Sequence, residues 1–134
     1  MRSLLLIALV CTWVLNGDAE TNEDLQWAKT HVRLFNKSER GVSMVEQCWS
    51  SDDDLGPHTV GFGQYYEFTF RPNWWGTTKF MCKVMFNNDG VWKYFLAYKY
   101  WRDSPVCAAK RQCDWDVNET QACRFDGQVC IKYT

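Results

Sequence analysis

From Lys79 to Phe86 the chain alternates without a break: Phe80, Cys82, Val84 and Phe86 fall on one side, Lys79, Met81, Lys83 and Met85 on the other. A period of two is the signature of a strand with one covered face, because successive side chains of extended backbone point to opposite sides. The same period runs through Tyr66, Phe68 and Phe70. It resumes after Asn87-Asn88-Asp89-Gly90 at Trp92, Tyr94, Leu96, Tyr98 and Tyr100, set against Lys93, Ala97 and Lys99. Asn, Asp and Gly tolerate the positive φ of a tight turn, so the two runs read as a hairpin. His31 to Phe35 and Val42 to Trp49 read as earlier strands around a turn at Glu39-Arg40-Gly41. Cys113 to Val117 and Gln128 to Tyr133 read as the last two, joined through Phe125-Asp126-Gly127. Glu23 to Lys29 has helical character but is too short to hold alone. Short strands punctuated by Gly, Asn and Asp predict an all-β fold, a small antiparallel β-sandwich. With 8 Trp, 6 Tyr and 8 Phe in 134 residues, its core is expected to be aromatic.

The N-terminus reads as a secretory leader over residues 1–19: Met1-Arg2 supplies a positive start, Leu4 to Leu15 an apolar run, and Gly17-Asp18-Ala19 the small residues of a cleavage site. The run stops after roughly a dozen residues, short of the ~20 a membrane span needs. The remainder, residues 20–134, reads as one secreted domain without membrane insertion, expected to be a monomer. Six of the 7 cysteines lie in it: Cys48, Cys82, Cys107, Cys113, Cys123 and Cys130. An even set in an oxidising compartment predicts three disulfides, and the clustering of the last four a stapled C-terminal region; spacing leaves the connectivity open. No CxxC pair occurs, so no metal site is expected.

A formal charge of −1 gives no basic surplus for a nucleic-acid partner. No GxSxG elbow is present, and with six cysteines paired none remains as a nucleophile. His31 and His58 are the only imidazole pair for a ribonuclease-like acid and base, and their plainer reading is a strand start and a polar turn residue. Catalytic residues and cofactors are therefore expected to be none. Two local features stand out. Asp52-Asp53-Asp54, followed by Leu55-Gly56-Pro57-His58, reads as a turn-forming solvated loop, with a recognition surface and a cation site as sharper alternatives. Trp74-Trp75 reads as a corner plug between sheets, with sugar stacking as the alternative. The sequons at Asn36 and Asn118 are candidate N-glycan acceptors.

In order, His31-Val32-Arg33-Leu34-Phe35-Asn36, Cys48-Trp49-Ser50-Ser51-Asp52-Asp53-Asp54-Leu55-Gly56, Tyr66-Glu67-Phe68-Thr69-Phe70, Asn73-Trp74-Trp75-Gly76-Thr77-Thr78 with Cys82, and Arg102-Asp103 with Cys113-Asp114-Trp115-Asp116-Val117 resemble the plant self-incompatibility S-protein family. The resemblance covers His31 to Cys130. It implies a secreted, disulfide-linked β-sandwich without known enzymatic activity. In the family's best understood members such a protein is the stigma's signalling ligand, recognised in trans by a membrane receptor of incompatible pollen whose growth it arrests. On that pattern the loop Ser50 to Gly56, with Asp52, Asp53 and Asp54, and the turn Asn87 to Gly90, with Asn88 and Asp89, are the expected receptor contacts. Both expose carboxylates and amides able to make directional bonds on a rigid scaffold.

Overall fold

The computed structural model describes residues 29–133; residues 1–19, read above as a leader and containing Cys11, and all but the last residue of the Glu23 to Lys29 segment lie outside the described residues. Strands β1 (Thr30–Asn36), β2 (Met44–Trp49), β3 (Asp54–Val60), β4 (Tyr65–Phe70), β5 (Lys79–Phe86) and β6 (Lys93–Lys99) precede a short helix, α1 (Tyr100–Cys107). Strands β7 (Gln112–Val117), β8 (Gln121–Arg124) and β9 (Cys130–Lys132) follow. They form two sheets, ordered β4-β1-β7-β8-β9 and β3-β2-β5-β6. Neighbours are antiparallel except β1 and β7, which run parallel with Val32 opposite Cys113 and Leu34 opposite Trp115. The chain changes sheet between those two strands and returns through α1, the kind of long crossover a parallel pair needs.

The alternation read from the sequence becomes the core. Val32, Leu34, Met44, Cys48, Cys82, Val84, Phe86, Trp115 and Val117 all point inward and are buried. Aromatic rings bridge the layers: Phe70 of β4 lies 4.6 Å from Phe80 and 4.7 Å from Tyr98, Phe68 lies 5.0 Å from Phe80, and Phe95 lies 5.6 Å from Trp115. Each such pair is worth about 0.5–1.5 kcal/mol beyond its buried area.

The disulfides join Cys48 to Cys82, Cys107 to Cys113 and Cys123 to Cys130. The first links facing residues of β2 and β5, the second ties the end of α1 to β7, and the third links facing residues of β8 and β9. None joins a strand of one sheet to a strand of the other, so the layers are held together by the packed core and by bonds such as that from Asn36 Nδ2 of β1 to the Val60 carbonyl of β3.

Four local readings are corrected. The Asp54-Leu55-Gly56-Pro57-His58 stretch is not a turn but strand β3, an edge strand where Pro57 is tolerated because one side of it has no ladder to join. In β6 the inward face carries Phe95 and Ala97, while Tyr94 is exposed. A register shift opposite Phe80 and Met81 then brings Tyr98 inward as well. The Phe125-Asp126-Gly127 turn joins β8 to β9 rather than a strand near Cys113 directly to the last one. Finally, Tyr100 begins a helix, whose Asp103 carboxylate accepts the Lys99 N–H at 2.7 Å. Asp103 is fully buried, and Arg102 and Arg124 reach it at 2.7 Å each, so α1 is fastened to the sheet by a charge network.

Candidate functional site

The sandwich has two poles. At the first, Ser50 closes a tight turn: its N–H donates to the Asp53 carbonyl at 2.8 Å, and its Oγ accepts the N–H groups of Asp52 and Asp53 at 3.3 and 3.2 Å. Cys48, two residues upstream, anchors that turn through its disulfide to β5. The three aspartates are not equivalent. Asp54 sits on β3 with both carboxylate oxygens taking the Gln47 amide at 3.0 and 3.1 Å, and one also accepts the Gly56 N–H. Gln47 first, then the Gly56 N–H, hold its carboxyl below the usual range. Asp52 and Asp53 are exposed, and their carboxylates make no hydrogen bond or ion pair among the described residues.

Beside this turn the 71–78 connection is braced by Asn73. Its Nδ2 donates to Thr77 Oγ1 at 2.8 Å, its Oδ1 accepts the Thr77 N–H, and its own N–H donates to Thr78 Oγ1. The two elements flank a polar cleft of about 180 Å³ lined by Ser50, Asp52, Asp53, Arg71, Thr77 and Lys79, among others. Trp74 and Trp75 do not plug a corner: they stack on one another at 3.8 Å and stand 68 % and 66 % exposed. Gly76 follows at φ +74°, where a Cβ would meet the Trp101 indole at 3.0 Å. Trp101 itself is 71 % exposed.

Asn88 and Asp89 lie at the opposite pole. Asn87 and Asn88 adopt φ of 55° and 50°, and Asp89 Oδ1 accepts the Val91 N–H at 2.9 Å. The β2·β5 ladder, from Trp49 opposite Met81 to Met44 opposite Phe86, separates the two groups by about 17 Å at ~3.4 Å per residue. The expected contacts therefore lie at opposite ends of that ladder.

The sequons meet at this second pole. Asn36 is completely buried, its Nδ2 donating to the carbonyls of Val42 at 2.9 Å and Val60 at 3.0 Å, so a glycan on it is incompatible with this packing. Ser38 of the same sequon gives its hydroxyl to Glu119 at 2.6 Å. Burial pushes the Glu119 carboxyl up, but the Ser38 hydroxyl, the Glu39 N–H and Arg40 outweigh it and bring it down to about 2. Asn118 instead stands half-buried in a turn, its Oδ1 accepting the N–H groups of Thr120 and Gln121 and the Thr120 hydroxyl.

His31 and His58 do not form an acid–base pair. His31 faces outward from β1, 3.5 Å from Glu67. His58 turns inward from β3, stacked at 4.0 Å on Tyr66, with its Nδ1 2.5 Å from Oε1 of Glu46. Glu46 is a functional-looking group the sequence reading passed over. Its signal was its phase, since it shares an inward side of β2 with Met44 and Cys48. It is fully buried, and desolvation raises its carboxyl to about 8. Oε2 lies 3.2 Å from Cys48 Sγ, and a disulfide sulfur has no proton to give, so this contact suits the protonated acid. Among the described residues no group of three or more His, Cys, Asp or Glu is placed to hold a metal ion, and no helix is long and apolar enough to cross a membrane.

Residues 31–133 match the family described as plant self-incompatibility protein S1. The chain is 38 % identical to S-protein homolog 29 of Arabidopsis thaliana over 97 residues, covering 72 % of this chain and 68 % of that one. It is 37 % identical to S-protein homolog 5 of the same plant over 99 residues, 74 % and 73 % of the two chains. Self-incompatibility protein S1 of Papaver rhoeas is 28 % identical over 95 residues, 71 % and 67 %. No solved structure matches the chain.

Proposed function

Because the chain belongs to the plant self-incompatibility protein S1 family, we propose that it is a secreted, non-enzymatic signalling ligand read in trans by a membrane receptor on another cell, in the manner of a stigma determinant acting on pollen. The observation that carries this reading is the state of Asp52 and Asp53. Two exposed carboxylates, unpartnered among the described residues, are held on a turn that Ser50 and the Cys48–Cys82 bridge fix in place. A rigid turn presenting charge loses little conformational freedom when a basic partner surface docks, and such charges set specificity and encounter rate. The opposed placement of His31 and His58 supports the non-enzymatic side of the reading.

The test is the refolded, oxidised protein applied to germinating pollen of matched and unmatched genotypes, with tube length as the readout. The wild-type chain is expected to shorten tubes of the matched genotype alone. The D52N/D53N variant is expected to keep its denaturation midpoint and lose most of that inhibition; full inhibition by this variant would remove Asp52 and Asp53 from the contact. Asp54 is left intact because its carboxylate is bonded to Gln47 and the Gly56 N–H.

A further inference from the structure

Three large indoles standing in water at one pole call for an explanation that turn chemistry does not give. Trp74, Trp75 and Trp101 are each about two-thirds exposed or more, although burying a side chain of this size is worth about 1.5–3 kcal/mol. Their exposure is built in. Gly76, itself buried, has no side chain to separate the 71–78 connection from Trp101, and Trp101 meets Tyr100 edge-on at 4.9 Å. The Trp74–Trp75 stack leaves each indole one outer face. Contiguous exposed aromatic surface rimmed by polar groups marks a binding surface.

The rim narrows the choice of occupant. Asp52, Asp53, Arg71 and Lys79 line the adjoining cleft, and none of their charged groups is paired among the described residues. Two anions and two cations give no net sign, which suits neither an anionic lipid surface nor a nucleic acid. A neutral, polyhydroxylated ligand fits both halves. Carboxylates and a guanidinium bond hydroxyl groups, while the weakly positive C–H face of a pyranose ring lies on the negative face of an indole. The cleft, at about 180 Å³, is smaller than the pocket of a drug-sized molecule and admits the end or edge of a chain rather than engulfing it.

We propose that this pole is a binding site for a neutral pyranose chain, with sugar rings stacked on the outer faces of Trp74, Trp75 and Trp101 and their hydroxyls bonded by Asp52, Asp53 and Arg71. The proposal goes beyond the signalling reading and stands without it, since it concerns the free protein and a sugar. Calorimetric titration of the oxidised protein with cellohexaose, as a wall-type chain, and with an oligomannose N-glycan, as a glycoprotein-type chain, tests it. Saturable binding of at least one is expected, weakened about tenfold or more in W74A/W75A. Both side chains are exposed, so that variant is expected to retain its far-ultraviolet circular dichroism and denaturation midpoint. Binding of neither sugar, unchanged affinity in W74A/W75A, or adsorption to phosphatidylcholine vesicles in place of sugar binding would each overturn it.

Discussion

A carboxyl at zero exposure makes Glu46 a source of pH dependence in the fold on the alkaline side of its ordinary range. Desolvation raises its folded-state value to about 8, from 4.5, so between those limits the folded chain holds a proton the unfolded chain has released. Stability from this group is complete below about 4.5 and is lost as pH rises through about 8, with a limiting slope of about 1.4 kcal/mol per pH unit. Above that range an unprotonated carboxylate would lie between Cys48 and His58 inside the sandwich. Guanidinium titrations at pH 6 and pH 9 are expected to give a lower midpoint at pH 9 for the wild type and a much smaller difference for Glu46→Gln. Equal midpoints in the wild type would show that the proton is not held there. Modification is also decided residue by residue. With Asn36 Nδ2 bonded to two backbone carbonyls, Asn118 is left as the acceptor compatible with the fold. Intact mass after expression in a secretory host is expected to fall by one glycan on enzymatic deglycosylation, and N118Q is expected to abolish that change.

At the scale of elements, the bridges differ in what they constrain. Cys48–Cys82 closes a separation of 34 residues, Cys123–Cys130 one of 7. By loop-closure entropy the first is worth about 4 kcal/mol and the second about 2. Because Cys48 and Cys82 are also fully buried, C48A/C82A adds lost packing to that difference. Denaturation midpoints are expected to rank wild type above C123A/C130A, and both above C48A/C82A; a reversed order of the two variants would contradict this account. How far elements were legible follows from the same physics. Strands buried on one face with unbroken alternation, β1, β2, β4, β5 and β7, were readable because period two survives every local detail. In β6 the phase was lost, because a register shift puts Ala97 and Tyr98 inward in succession. Strand β3 was hidden by Gly56-Pro57, which an edge position tolerates. Helix α1, eight residues long with Pro105 inside, is held by Asp103 meeting Arg124 across 21 residues, a long-range contact no local pattern contains. The candidate site was legible in part: Asp52 and Asp53 stand exposed on a turn, but the stacking of Trp74 on Trp75 in solvent is set by the geometry of the connection, which no local pattern contains.

For the whole molecule, the decisive fact is that the surfaces expected to speak to a receptor lie at opposite ends. The Ser50–Asp53 turn and the Asn87–Gly90 turn sit beyond the two ends of the β2·β5 ladder, about 17 Å apart along the strands. An interface of standard size, about 800 Å² on each partner, has a radius of about 16 Å, so one centred on either turn stops short of the other, whereas one centred between them on the side of the sandwich reaches both. Among the described residues, the side chains to be changed at the two poles share no partner, and they are far enough apart to act independently. If Asp52 and Asp53 form the contact, N88A/D89A is expected to fold and to inhibit matched pollen as the wild type does, while D52N/D53N loses inhibition. The combined variant then behaves as D52N/D53N alone. Asn88 holds φ of 50°, which Ala tolerates less well, so the melting temperature of N88A/D89A is measured alongside. Loss of inhibition by a normally folded N88A/D89A would move the contact to the second pole, and loss in both variants would place it on the side of the sandwich, reaching both turns.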